Sequence, residues 1–198
     1  SWFFYYKTSG LFLLLLLFVT LSDWLIARRI YKNLTAKRSI KAKLWLALSV
    51  IIDLGLLCYF KYAYFFTNVV NNMLGTELAV FDLFAYIGNG FSESGRFMVD
   101  SIILPVGISF YLFQVTSYTI DVYRGHVKPV KNILDFGFYV SFFPQLVAGP
   151  IVRANEFIPQ LYRPFRLSRR VFGLAVFWVL NGLIKKIVLS DYLAVNLI

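Results

Sequence analysis

Apolar runs long enough to cross a bilayer alternate along this chain with short basic segments. Leu11–Ala27, Leu44–Phe66 and Ile102–Tyr123 are the clearest runs, and a spanning α-helix needs about 20 such residues. The segment between the first two holds Arg28, Arg29, Lys32, Lys37, Arg38, Lys41 and Lys43 and no acid. Short loops this basic stay in the cytoplasm, so the first span is predicted to run inward and the second outward. Thr67–Asp100 carries Glu77, Asp82 and Glu93 against Arg96 as its only base, and reads as external. Leu78–Ile87 within it reads as a short interfacial helix. The third span returns inward and ends at a second basic loop, Arg124–Lys131. Trp2–Tyr6, next to Lys7, reads as an interfacial aromatic belt.

The pattern then changes. Ile133–Val152 is apolar but interrupted by Pro144 and by Gly149-Pro150. Beyond it come Arg153, Arg163, Arg166, Arg169 and Arg170, a third basic flank. Two cytoplasmic flanks around one apolar run predict an element that does not cross: a re-entrant or in-plane broken helix. Such backbone is tolerated at membrane depth only where it packs in protein or lines a polar cavity. Val171–Ile198 is a last apolar segment holding Asn181, Lys185 and Lys186. If it enters at Val171, Lys185 lies ~20 Å deep. Lysines at that depth face a cavity or an anion, or else the helix tilts and they reach solvent or lipid phosphate.

Composition agrees. The chain of 198 residues is 59% hydrophobic and 19% aromatic, against roughly 45–50% apolar residues in soluble domains. Its net charge of +10 sits between the apolar runs, which fits loops against an anionic leaflet and argues against a nucleic-acid surface. Cys58 is the single cysteine, so no internal disulfide and no Cys/His metal spacing exists, and it reads as a small buried hydrophobe. The chain opens at Ser1 in SWFFYY and closes at Ile198 in apolar sequence. Both ends read as cut, and no secretory signal peptide is visible.

The polar positions within the spans carry the candidate chemistry. Gly107, Tyr111, Gln114, Tyr118 and Asp121 recur at steps of four, three, four and three, so they share one helical face. Ile108, Leu112, Val115 and Val122 lie on the other side. Such a stripe lines a cavity or forms a tight interhelical seam. Asp121, followed by Arg124, also fits a terminal ion pair. Asp53 in the second span reads as a helix–helix hydrogen-bond partner, with Lys61 snorkelling to the surface. His126, the single histidine, sits in a polar turn without an obvious partner acid and reads as a loop residue.

LPVGISFYLFQVTSYTIDVYRG, FYVSFFPQLVAGPIVRANEFIPQL and NGLIKKIVLSDYLA, with YFKYAYFF in the second span, resemble the membrane-bound O-acyltransferase family, in particular its bacterial alginate O-acetyltransferase-like branch. The resemblance covers nearly the whole chain and is densest from Leu104 to Leu161. It implies an all-α, polytopic enzyme whose helices surround a funnel, with residues 1–198 forming part of a single membrane domain. It further implies a multi-pass protein of the bacterial inner membrane. The donor would be cytoplasmic acetyl-CoA or another acyl-CoA, acting as substrate rather than bound cofactor. The acceptor would be an extracytoplasmic polysaccharide such as alginate, with a partner acetyltransferase protein completing the transfer. No metal and no nucleic acid are expected. The family's catalytic histidine lies in a tryptophan- and arginine-rich stretch that this sequence does not contain, and His126 does not inherit its role. The piece alone is expected to be inactive. On this resemblance Tyr111, Gln114, Asp121 and Arg124 shape the tunnel face and its inner mouth, and Gln145, Gly149, Pro150 and Arg153 shape the broken element. Arg153, Lys185 and Lys186 would attract donor phosphates.

Broken helices with midplane polar groups also mark transporters and channels, which stand as the alternative reading. No internal repeat supports it.

Overall fold

Burial along the second helix shows how the fold is assembled. In a computed structural model the helix Phe12–Thr35 (α2) buries Leu16, Val19, Thr20, Asp23, Ile26, Ala27 and Ile30, at helical spacing, and turns Arg28 and Arg29 outward. The predicted span was to end at Ala27. The helix continues eight residues further because Arg and Lys are good helix formers whose charges reach out while Ala27 and Ile30 stay packed. The basic segment is therefore mostly helical, with its turn confined to the residues before Ser39, where the next helix begins.

The structure describes residues 2–10, 12–80, 82, 84, 86, 102–148, 152–164 and 167–197. All regular structure among them is helical. They form two units, Ser1–Leu161 and Tyr162–Ile198.

In the first unit, Trp2–Ser9 (α1) leads into α2. Ser39–Leu57 (α3), a π-helical turn Cys58–Tyr62 and Ala63–Leu74 (α4) form one continuous rod. Ile108–Tyr123 (α5) packs against both α2 and α3. Then come the short helices Ile133–Val140 (α6), Phe143–Ala148 (α7) and Ala154–Leu161 (α8). In the second unit, Arg169–Ile184 (α9), a π-helical stretch Lys185–Asp191 and Tyr192–Leu197 (α10) follow one another.

Two helices among the described residues, Ser39–Leu74 and Arg169–Ala194, are long and apolar enough to cross a membrane. The expected third span is shorter than its sequence suggested. Pro105 and Gly107 delay the helix until Ile108, leaving 16 residues, about 24 Å of rise. The interfacial helix expected over Leu78–Ile87 falls partly outside the described residues. Large apolar side chains such as Phe3, Leu14, Ile51 and Phe65 are exposed on the first unit, an outward surface that suits lipid and not water. Cys58 is exposed among them and is not the buried hydrophobe expected. It opens the π-helical turn on the outward side of the rod, where a thiol is apolar enough to stay.

Both sides of α5 are buried. Ile108, Leu112, Val115 and Val122 are covered as completely as Tyr111 and Tyr118, and Phe110 and Phe113 face out. The polar stripe is accordingly one side of a central helix. Hydrogen bonds fix its level. Ser49 of α3 donates to Asp23 Oδ1 of α2 at 2.5 Å and approaches Thr119 Oγ1 of α5 at 3.2 Å. Thr116 donates to Asp53 Oδ2 at 2.7 Å, which confirms Asp53 as an interhelical partner. Trp24 Nε1 donates to the Val130 carbonyl at 2.9 Å, and the Val130 amide donates to the Tyr118 hydroxyl at 3.0 Å. These pairings run α5 alongside α2 in the same direction, with α3 opposed. Arg124–Lys131 therefore lies at the same end as Arg28–Lys43.

Tyr118→Phe removes the acceptor of the buried Val130 amide. It should cost about 1–3 kcal/mol, seen as a lowered midpoint of thermal unfolding of the detergent-purified whole protein. An unchanged midpoint would show that this anchor contributes nothing.

Candidate functional site

The apolar stretch after the second basic loop folds as three short helices because its sequence stops each one. Asn132 caps α6 by accepting from the Leu134 amide at 3.1 Å. The helix ends where Ser141 turns its hydroxyl back to the Gly137 carbonyl at 2.7 Å. The interruption therefore falls at Ser141–Phe142. Pro144 does not break a helix as expected but lies in the first turn of α7, where its missing N–H is harmless. Helices of eight and six residues are far below the roughly 20 needed to span. The chain then doubles back, since the Tyr139 hydroxyl donates to the Val152 carbonyl at 2.9 Å. Phe138, Tyr139, Phe142 and Phe157 pack ring against ring across this return, with centroids 5.1–6.1 Å apart. Arg153 is exposed, and its carbonyl accepts the Glu156 and Phe157 amides at 3.1 Å to start α8.

The stripe on α5 meets this broken element. Gln114 is buried, and its Nε2 donates to the Tyr139 carbonyl at 3.0 Å, tying α5 to α6. Tyr111 stands edge-on to Tyr5 of α1 at 6.4 Å. Asp121 does not pair with Arg124. Its carboxylate faces His126 Nδ1 at 3.5 Å. The histidine thus has a partner acid that the sequence did not reveal. Gly125, at φ 77, turns the chain so that the His126 amide donates to the Asp121 carbonyl at 2.9 Å. Arg124 is exposed at the end of the helix.

Gln145 is buried, and neither amide atom has a hydrogen-bond partner among the described residues. Its neighbour Leu146 abuts Gly107, where a Cβ would lie 2.6 Å from Leu146 Cδ2 and 2.8 Å from its carbonyl oxygen. A glycine suits this position twice over, by its left-handed φ and by the lack of a side chain where Leu146 of α7 abuts the start of α5. A cleft of about 220 Å³ opens beside this crossing, lined by Lys61, Leu104, Pro105, Gly107, Ser109 and Leu146. Lys61 belongs to the π-helical turn, a feature without a periodic sequence signal and one often found at functional sites. Gly149 and Pro150 lie outside the described residues.

In the second unit, Ser168 caps α9 by accepting from the Val171 amide at 3.2 Å. Lys185 and Lys186 open the π-helical stretch. Lys186 is paired with Asp191, five residues on, so its charge has a partner within its own element. No group of three or more His, Cys, Asp or Glu side chains that could hold a metal occurs among the described residues.

Comparison with known proteins gives this geometry a context. The chain is 37% identical over 177 residues to a "Probable alginate O-acetylase AlgI" of Azotobacter vinelandii, covering 89% of this chain and 32% of the relative. It is 35% identical over 184 residues to the Pseudomonas aeruginosa protein of the same name, covering 92% and 32%. These relatives are acetyltransferases of the membrane-bound O-acyltransferase type, and the chain resembles them over about nine-tenths of its own length. A "Peptidoglycan O-acetyltransferase" of Helicobacter pylori is 30% identical over 217 aligned positions, covering 96% of this chain and 37% of that protein. The chain thus spans about a third of the length of these acyltransferase relatives. No family model matches it, and no solved structure matches it.

Gly107→Ala would force a non-glycine residue to φ 70 and a methyl group against Leu146. The expected cost is about 1–3 kcal/mol from the backbone alone. Thermal unfolding of the whole protein should shift down, and Gly107→Ala should recover in part when Leu146 is also changed to Ala. An unshifted Gly107→Ala protein would mean that neither the left-handed backbone nor the Leu146 contact requires a glycine here.

Proposed function

We propose that the whole protein transfers an acetyl group from acetyl-CoA, met at the cytoplasmic face, to hydroxyl groups of an extracytoplasmic polysaccharide. The observation that carries this reading is the 30–37% identity, over some nine-tenths of the chain, to proteins named alginate O-acetylase and peptidoglycan O-acetyltransferase. Those two names place different polysaccharides side by side, so the conserved part of the reading is O-acetylation and the acceptor belongs to the individual protein.

In this reading the chain supplies wall rather than reacting group. The α5 stripe and the doubled-back α6–α8 element form a packed polar and aromatic surface in an apolar protein. That is the kind of irregular backbone a membrane enzyme keeps where a substrate path runs. Tyr111 and Gln114 hold the wall in place through Tyr5 and Tyr139. Arg153 and Lys185 are the cations offered to donor phosphates, and Lys186 is offered only after release from Asp191. Gln145 offers a buried amide to a polar group of the path. The protein sits in a bacterial inner membrane with several spans, and a second acetyltransferase protein takes part in delivery to the glycan.

Membrane vesicles bearing the whole protein, supplied on the cytoplasmic side with acetyl-labelled acetyl-CoA, should place label on glycan or protein. Control vesicles should not. Absence of label from vesicles with verified, inserted protein would overturn the reading and favour a transporter.

A further inference from the structure

The mechanism above leaves unused the most deeply buried ionisable groups of the first unit. Asp23 of α2 and Asp53 of α3 are each 1% exposed. Ser49 supplies a hydroxyl proton to Asp23 Oδ1, and Thr116 supplies one to Asp53 Oδ2. Thr119, which completes the seam, directs its own proton to the Thr116 carbonyl at 2.9 Å. The remaining oxygens, Asp23 Oδ2 and Asp53 Oδ1, are buried and receive no donor from any described residue. Ser49, which holds Asp23, lies one helical turn before Asp53 on the same face of α3, and it also meets Thr119, one turn from the Thr116 that holds Asp53, so the two carboxyls share one level of the seam. No lysine or arginine forms an ion pair with either among the described residues. The other titratable groups that face them are Tyr111 and Tyr118 from α5, with Tyr5 of α1 behind Tyr111. Arg28 is occupied on the Trp24 ring, 4.6 Å from its centroid.

Two ionised carboxylates cannot satisfy this arrangement. Each unpaired oxygen would be an acceptor facing an acceptor, and two like charges would sit together where water does not reach. A single proton between them resolves both problems. It turns one oxygen into a donor and leaves one negative charge, held by the Ser49 and Thr116 hydroxyls.

We propose that Asp23 and Asp53 form a proton-binding site, sharing one proton that fastens α2 to α3 at the level where α5 packs. The site is separate from the acyl-transfer reading and stands whether or not that reading does. Loss of the proton to solvent places a second charge in the seam and loosens the three helices.

The test uses the whole protein labelled with 13C-carboxyl aspartate and solubilised in detergent. Its infrared spectrum at neutral pH should contain a protonated-carboxyl C=O band that shifts in D2O and is lost in both Asp53→Asn and Asp23→Asn. An amide at either position donates the same hydrogen bond without a titratable proton. Asp53→Asn should therefore unfold at the wild-type temperature at neutral pH. If Asp53→Asn does not fold, the wild-type band and the Asp23→Asn protein decide the matter. A folded wild type without the band would overturn the proposal. So would a wild type whose unfolding temperature depends on added sodium or potassium, which would mean a cation neutralises two ionised carboxylates.

Discussion

The first unit depends on polar contacts made inside an apolar bundle. Lipid tails are as apolar as leucine, so helices in a membrane gain little from burying leucine against leucine, and packing and interhelical hydrogen bonds decide which faces meet. Here the meeting faces are marked by Asp23, Ser49, Asp53, Thr116 and Thr119, bonded across α2, α3 and α5. Around that layer the packing is dense and small: Ala27, Ala42, Val19 and Val115 are fully covered. Tyr118, Trp24 and Val130 then hold the turn after α5 against the same bundle. Remove the polar layer and nothing in the apolar surface specifies which side of α5 faces which neighbour.

Much of this could be read from the residue order. The apolar runs, the basic segments between them, Asp53 as an interhelical partner and the interrupted character of the stretch after Lys131 all follow from period, charge and the cost of polar groups in lipid. Other features lack a signal of that kind. The π-helical turns at Cys58–Tyr62 and Lys185–Asp191 change hydrogen-bond register without changing the apolar pattern. The Asp121–His126 contact depends on a single left-handed glycine between them. α2 runs on past its apolar stretch because the stems of basic residues allow a helix where their charges alone suggest a loop. The Asp23–Asp53 pairing joins residues thirty positions apart and depends on helix register, which one sequence does not contain.

The same bundle links fold to function. Because α5 is buried on both sides, its stripe can hold the broken α6–α8 element through Gln114 and Tyr139 while its other side is fixed to α2 and α3. The doubled-back element is then supported by protein at each of its breaks, through Ser141, Tyr139 and the aromatic ring cluster. Irregular backbone at membrane depth needs such support from protein, whatever it lines.

The central claim is that the polar seam sets the helix directions and so brings both basic turns to one membrane face. Single cysteines at Lys37→Cys and Lys128→Cys, in a whole protein whose native cysteines, Cys58 among them, are replaced by serine, would be challenged with a membrane-impermeant thiol reagent from each side of sealed vesicles. Reaction of both from the cytoplasmic side alone is the predicted result. Reaction of the two from opposite sides would contradict the seam and the topology built on it.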